Sequence, residues 1–173
     1  MLDKKTGKFK RLPKEKKPAD RSLSLLKTFE EGSGIIDSLV EEYEDWYDNM
    51  TGTSLEAMEK YDMVGEVARV MREQFDALEG LVFPDGISEI PIIIPLYPSG
   101  KSPSKAVRFS YACQILSSVC SVIVGDADVE SPEASIFYII KDMKERAEVM
   151  EQTDEFAEEL QDIIDELEGI EFP

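Results

Sequence analysis

The sequence predicts a mainly α-helical single domain, a bundle of about five helices with one proline-rich extended crossover and a basic N-terminal arm. Three observations carry this expectation. The 173 residues, 42% of them apolar, are enough to bury one core without disulfide or metal staples. Apolar residues recur at three- and four-residue spacing over most of the chain. Strand-like residues are concentrated in a single stretch that prolines interrupt.

The arm comes first. Residues 1–21 hold nine Lys and Arg against Asp3, Glu15 and Asp20, so they carry +6, and the remainder carries −24 of a net −18. With Gly7, Pro13 and Pro18 and little apolar content, such a segment cannot fold alone; it is expected to be mobile until a grooved or anionic partner orders it. Phe9 and Leu12 offer two apolar anchors beside Lys8, Lys10, Arg11, Lys14, Lys16 and Lys17, which makes the arm a candidate partner-binding peptide. The plain alternative is a solubilising tail. The acidic body, residues 22–173, repels nucleic acid and anionic membrane, so nucleic acid is expected to meet the chain through the arm only.

Within the body, Ser22–Phe29 is expected to open a short helix that stops at the flexible run Gly32–Gly34. Ile36, Leu39, Val40, Tyr43, Trp46, Tyr47 and Met50 predict a second helix over about 35–49. Thr53 and Glu56 have the spacing of a capping box, and the stripe Leu55, Met58, Val64, Val67, Met71, Phe75, Leu78 runs to Gly80, a C-terminal cap signal. Residues 35–80 are thus a helical hairpin. In the crossover, 81–101, four prolines leave Ile92–Ile94 as at most a very short edge strand, an extended buried segment being the preferred reading.

Residues 102–173 are expected to hold a buried helix and the acidic C-terminal helices. Ser102 and Pro103 signal the start of the first, whose apolar residues fall on nearly every side and mark it as central. Ser131 and Pro132 repeat that signal for a helix over "EASIFYIIKDMKERAEVM". The last helix buries Phe156, Leu160, Ile163, Ile164 and Leu167, and between Asp154 and Glu171 it shows nine acids and no base.

Composition excludes much chemistry. The chain has no histidine, which removes the usual general base and the commonest nitrogen ligand for metals. Cys113 and Cys120, seven apart on one helix, lie about 10 Å apart along its axis and cannot bridge; they read as reduced core residues. No apolar run is judged long enough for a membrane span, and the lysine-rich N-terminus lacks the apolar segment of a secretory signal, so a soluble cytoplasmic protein is expected.

Two motifs were weighed and set aside. "IIIPLYPSGKS" imitates a phosphate-binding loop, but Pro95 stands where the first glycine belongs and Pro98 removes another N–H, so a nucleotide-dependent enzyme using Lys101 is a distant reading. From Asp126 the chain imitates a calcium loop, yet Ser131 replaces its glycine and Phe137 its last carboxylate. Carboxylates facing outward by their spacing, with no histidine, suit neither a di-metal site nor acid–base catalysis. The expectation is therefore no catalytic residue, no metal and no cofactor.

Two surfaces remain. Trp46 and Tyr47 form an aromatic knot, read first as packing against the next helix and second as a partner hot spot. Glu155, Glu158, Glu159, Asp162, Asp165 and Glu166 form an acidic face. It is a solvated face in the plain reading, a mimic of nucleic-acid charge, or the receptor for the arm of a neighbouring copy in a homo-oligomer.

The stretch Tyr43–Leu81, "YEDWYDNMTGTSLEAMEKYDMVGEVARVMREQFDALEGL", resembles a hairpin of uncharacterised helical bacteriophage-encoded proteins in which Trp-aromatic-Asp-Asn-Met precedes a turn and a long helix. Thr51 stands where that turn usually carries proline. The resemblance implies a viral origin, with the virion or an infected cell as a second location, and implies no activity. Together these readings predict a non-catalytic structural or adaptor subunit docking through its arm. The second expectation is an acidic mimic that inhibits a DNA-binding protein.

Overall fold

The computed structural model describes residues 20–84, 86–98, 103–124 and 146–173. The protein is mainly α-helical, and four α-helices stand among the described residues, rather than about five. In chain order they are β1 (Asp20–Ser24), α1 (Leu25–Met50), a 3-10 turn (Ser54–Ala57), α2 (Glu59–Gly80), β2 (Pro91–Pro95), α3 (Lys105–Val124) and α4 (Arg146–Glu168). The expected helix starting at Ser131 falls largely outside the described residues, and its last residues, from Arg146, belong to α4. Also outside them lie Lys101, Ser102 and the loop from Asp126 to Phe137.

The break expected at Gly32–Gly34 does not occur; α1 runs through it as one helix of 26 residues. The reason is packing. A Cβ at Gly32 would lie 2.7 Å from Leu116 Cγ, so the absent side chain lets α3 approach the α1 backbone closely. Ser24 caps α1: its Oγ accepts from the Lys27 N–H, and Leu25 and Leu26 donate their N–H groups to the carbonyls of Ile90 and Ser88.

Of the short helix expected over Ser22–Phe29, Leu25–Phe29 open α1, while Ser22–Ser24 belong to a strand leading into it. β1 pairs antiparallel with β2, Ser22 facing Ile93 and Arg21 facing Ile94. β2 is thus a five-residue strand where an extended crossover was preferred. Its prolines stand at its two ends, which leaves the three central N–H groups intact. Ile92 and Ile94 turn into the core, and Ile93 is 72% exposed.

The other caps are displaced from their expected places. Thr53 Oγ1 accepts from Leu55 N–H and so opens the 3-10 turn, while α2 proper starts at Glu59; Glu56 reaches the Gly52 N–H. Gly80 stays helical and Leu81 ends the helix in an extended conformation. At α3 the serine that accepts from the backbone is Ser104, through Val107 N–H.

α1 and α2 form the hairpin, α3 lies against α1, and α4 lies against α3 and α2. The core is one cluster, from Ile36, Leu39 and Val40 on α1 to Leu160, Ile164 and Leu167 on α4. Phe156 meets Phe29 and Phe83 edge-on at 5.6 and 5.0 Å, Phe29 and Phe83 lie tilted at 5.7 Å, and the three join α1, the crossover and α4. After α4 the chain returns, and Phe172 stands 4.8 Å from Phe109 and 5.9 Å from Tyr43.

α3 is less enclosed than expected. It buries residues against α1 and α4, but Ala106, Ser110, Gln114 and Ser121 on its remaining side are exposed. By length and composition this one helix among the described residues could cross a bilayer, contrary to the expectation that no run is long enough; its buried share, 56%, is that of a core helix.

Candidate functional site

The described cations of the body are mostly committed within the chain. Arg72 reaches from α2 to α1 and holds Glu44 with two hydrogen bonds of 2.9 and 2.8 Å. Arg108 of α3 donates to Glu42 at 2.7 Å, and Lys105 donates to the Glu42 carbonyl at 3.0 Å while lying over the rings of Tyr43 and Trp46. Arg21 of β1 bonds Glu31, and Tyr111 at 2.9 Å, which ties the end of the arm to α1 and α3. Arg69 bridges Glu66 and Glu73 along α2, and Lys60 lies over Trp46. Lys27 is the remaining base whose side chain is described.

These pairs perturb their carboxyls. Burial alone would raise Glu42, but the hydrogen bond and charge of Arg108, aided by Lys105, hold it below the usual carboxylate range. The Arg72 hydrogen bond holds Glu44 below that range as well, and Glu44 in turn pushes the Arg72 guanidinium up. Each pair links two elements, so the charges of this side help to set how α1, α2 and α3 meet.

Trp46 and Tyr47 are half-buried. Trp46 lies between Lys60 and Lys105, and Tyr47 stacks on Tyr61 at 4.6 Å. A Cβ at Gly65 would stand 2.6 Å from the Tyr47 ring, so α2 is notched to receive it.

On α4 the six acids named from the sequence are all exposed, and no ion pair of any of them occurs among the described residues. Glu155, Glu158, Glu159, Asp162, Asp165 and Glu166 follow helical spacing on one face. They span about 16 Å of helix, one charge per about 2.8 Å. That is sparser than the ~1.7 Å of duplex DNA and close to the ~3.4 Å of one strand. Asp165 and Glu166 also border a 760 Å³ cleft against α2, floored by Met63, Val67 and Val70.

The arm residues Lys8, Phe9, Lys10, Arg11, Leu12, Lys14, Lys16 and Lys17 lie outside the described residues. What the structure adds is where the arm joins the body. Arg21 and Asp20, counted from the sequence as arm, belong to β1, and moving both leaves the arm, now residues 1–19, at +6.

Sequence reasoning missed a groove of about 1270 Å³ between β2, the open side of α3 and the C-terminal return. Ile93, Phe109, Val122, Ile170 and Phe172 supply its apolar surface, with serines along α3 and Glu168 at one wall. The signal was present: Ala106, Ser110, Gln114, Ser117 and Ser121 form a small and polar stripe on an otherwise apolar helix. Cys113 reaches this groove as a buried thiol that burial pushes up to about 12, so it is protonated and a poor nucleophile at neutral pH. Cys120 is buried too, its Sγ 3.4 Å from the Ala157 carbonyl oxygen. No cluster of three metal-binding side chains occurs among the described residues.

Compared with known proteins, the chain matches no family model, no curated protein and no solved structure.

Proposed function

We propose that the chain is a non-catalytic structural or adaptor subunit of a larger assembly, which it joins through the basic arm. One observation supports this reading above others: of the body's cations whose side chains are described, all but Lys27 are engaged by its own acids and rings, and the sequence puts a net charge of +6 on the arm. An anionic partner surface is attracted to residues 1–19 and repelled by the −24 body, which orients the encounter. β1 fixes the root of the arm, so a partner held by it is held near α3 and β2.

The test is Lys8, Lys10, Arg11, Lys14, Lys16 and Lys17 changed together to Gln in the full chain, with partners captured from source-cell extract with and without nuclease. Capture should fall at least tenfold, and wild-type capture should fall steeply as salt rises. Unchanged, salt-insensitive capture would sink the proposal. Nuclease sensitivity would show that nucleic acid bridges the partner.

A second reading is supported by the acids of α4, which form no ion pair among the described residues: an inhibitor that occupies a nucleic-acid-binding site on another protein. Their spacing suits a single strand better than a duplex. Charge reversal of Glu155, Glu158, Glu159 and Asp162 with the arm intact separates the two readings, since only the inhibitor loses its partner.

A further inference from the structure

We propose that the groove between β2, α3 and the C-terminal return is the seat of this chain's own arm, residues 1–19, with Phe9 and Leu12 as its apolar anchors. The inference shares with the adaptor reading the premise that the arm is a docking peptide, and adds where it docks when no partner is present.

The place where the arm ends is the first argument. Residue 19 leads directly into β1, and Ser22 of that strand, opposite Ile93, is itself part of the groove wall. From Asp20 back to Leu12 and Phe9 are eight and eleven residues, a reach of about 26 to 36 Å when extended. The groove runs along α3 from Ala106 to Ser121, about 22 Å. Both anchors can therefore sit anywhere along it without strain in the tether.

Surface chemistry is the second argument. At about 1270 Å³ the groove is larger than a usual small-molecule pocket of ~300 to 1,000 Å³. Ile93, Phe109, Ile170 and Phe172 offer apolar contact for two anchors three residues apart. The serines and Gln114 on the α3 side supply hydrogen-bond partners to an extended backbone, which an aliphatic wall would not.

Charge is the third. Glu168 stands in the wall and is in no ion pair among the described residues. The arm brings six net positive charges to this end of α4. Because arm and groove share one chain, the effective concentration is of millimolar order, so docking within the molecule outcompetes docking on a second copy at ordinary protein concentrations.

The consequence is a competition: an anionic partner must draw the arm out of its groove. The experiment is photo-crosslinking of the purified full-length protein, free of partners, with p-benzoylphenylalanine at position 9, mapped by mass spectrometry. Crosslinks within one chain to Phe109, Ser110, Cys113, Ser117 or Ile170 are expected. Their yield should fall about fivefold in 0.5 M salt and in the variant Lys8→Gln, Lys10→Gln, Arg11→Gln, Lys14→Gln.

Other outcomes overturn the proposal. They are crosslinks only between chains, crosslinks centred on the acidic cleft at Met63, no crosslink at all, or capture of the groove by the same probe at Phe137 in place of position 9. No partner takes part, so failure here leaves the adaptor reading standing, and loss of partner capture elsewhere leaves this one standing.

Discussion

α1 and α4 are both acidic amphipathic helices, but they treat their charges in opposite ways. On α1, Glu31, Glu42 and Glu44 each meet a cation from another element: Arg21 of β1, Arg108 and Lys105 of α3, Arg72 of α2. On α4 the outward carboxylates meet none among the described residues. α1 therefore uses charge to fix its position against three neighbours, whereas α4 is held through its inner face, with Cys120 Sγ bonded to the Ala157 carbonyl, and has no ion pair on its outer face among the described residues.

The largest effect that sharpens this contrast is on the inner face of α4. Leu160 is fully buried, and Leu160→Ala should cost about 2 to 5 kcal/mol, read as a lower urea midpoint at unchanged slope. A loss well below that range would mean that α4 is not part of the cooperative core.

Next is the close contact of α1 with α3. Gly32→Ala drives a methyl group into Leu116 and should cost about 1 to 3 kcal/mol. Combined with Leu116→Ala the losses should be clearly less than additive, because the second change opens the space the first one needs. Additive losses would place the cause elsewhere.

The paired acids of α1 give a smaller, pH-dependent effect. Glu42 and Glu44 have carboxyls held below their ordinary range in the fold, so the stability they add is fully present above the ordinary carboxylate value of about 4.5 and is lost as pH falls through their folded values. Wild type should therefore lose more stability between about pH 5 and pH 3 than the double variant Glu42→Gln, Glu44→Gln, in urea titrations at stepped pH. Parallel curves would show that these pairs do not couple to folding.

Smallest is the outer face of α4. Changing Glu155, Glu158 and Glu159 to Gln and Asp162 to Asn removes like charges at i,i+4 spacing, each such pair costing about 0.2 to 0.5 kcal/mol. The midpoint should stay level or rise slightly. A clear fall would mean that these acids support the fold after all.

How far the sequence announced all this depends on how local each cause is. The stripes Val64, Val67, Met71, Phe75, Leu78 and Phe156, Leu160, Ile163, Ile164, Leu167 were legible because helical period is a local property, and all of these residues are buried, whereas Leu55 and Met58, expected to begin the first stripe, precede α2 and are exposed. The Gly32–Gly34 run misled because the side chain that needs Gly32, Leu116, is far along the chain. β1 was illegible for the same kind of reason: "DRSLS" has no strand signal of its own and becomes a strand by pairing with β2. The caps were off by a few residues, as at Ser104, since several serines compete for one helix start. For the candidate surfaces, the acidic face of α4 was legible from spacing. Which acids are paired was not, because ion pairs such as Glu44–Arg72 depend on helix contact, and the groove was visible only as a stripe of serines without its walls.

The measurement that bears most directly on the charge division compares two full-length variants side by side: the six arm cations changed to Gln, and the α4 quartet neutralised as above. For each, partner capture from extract and the urea midpoint are recorded. The account expects the α4 variant's midpoint to match or slightly exceed wild type and capture to fail in the arm variant only. Capture lost in the α4 variant and kept in the arm variant would contradict it, as would capture that neither change affects.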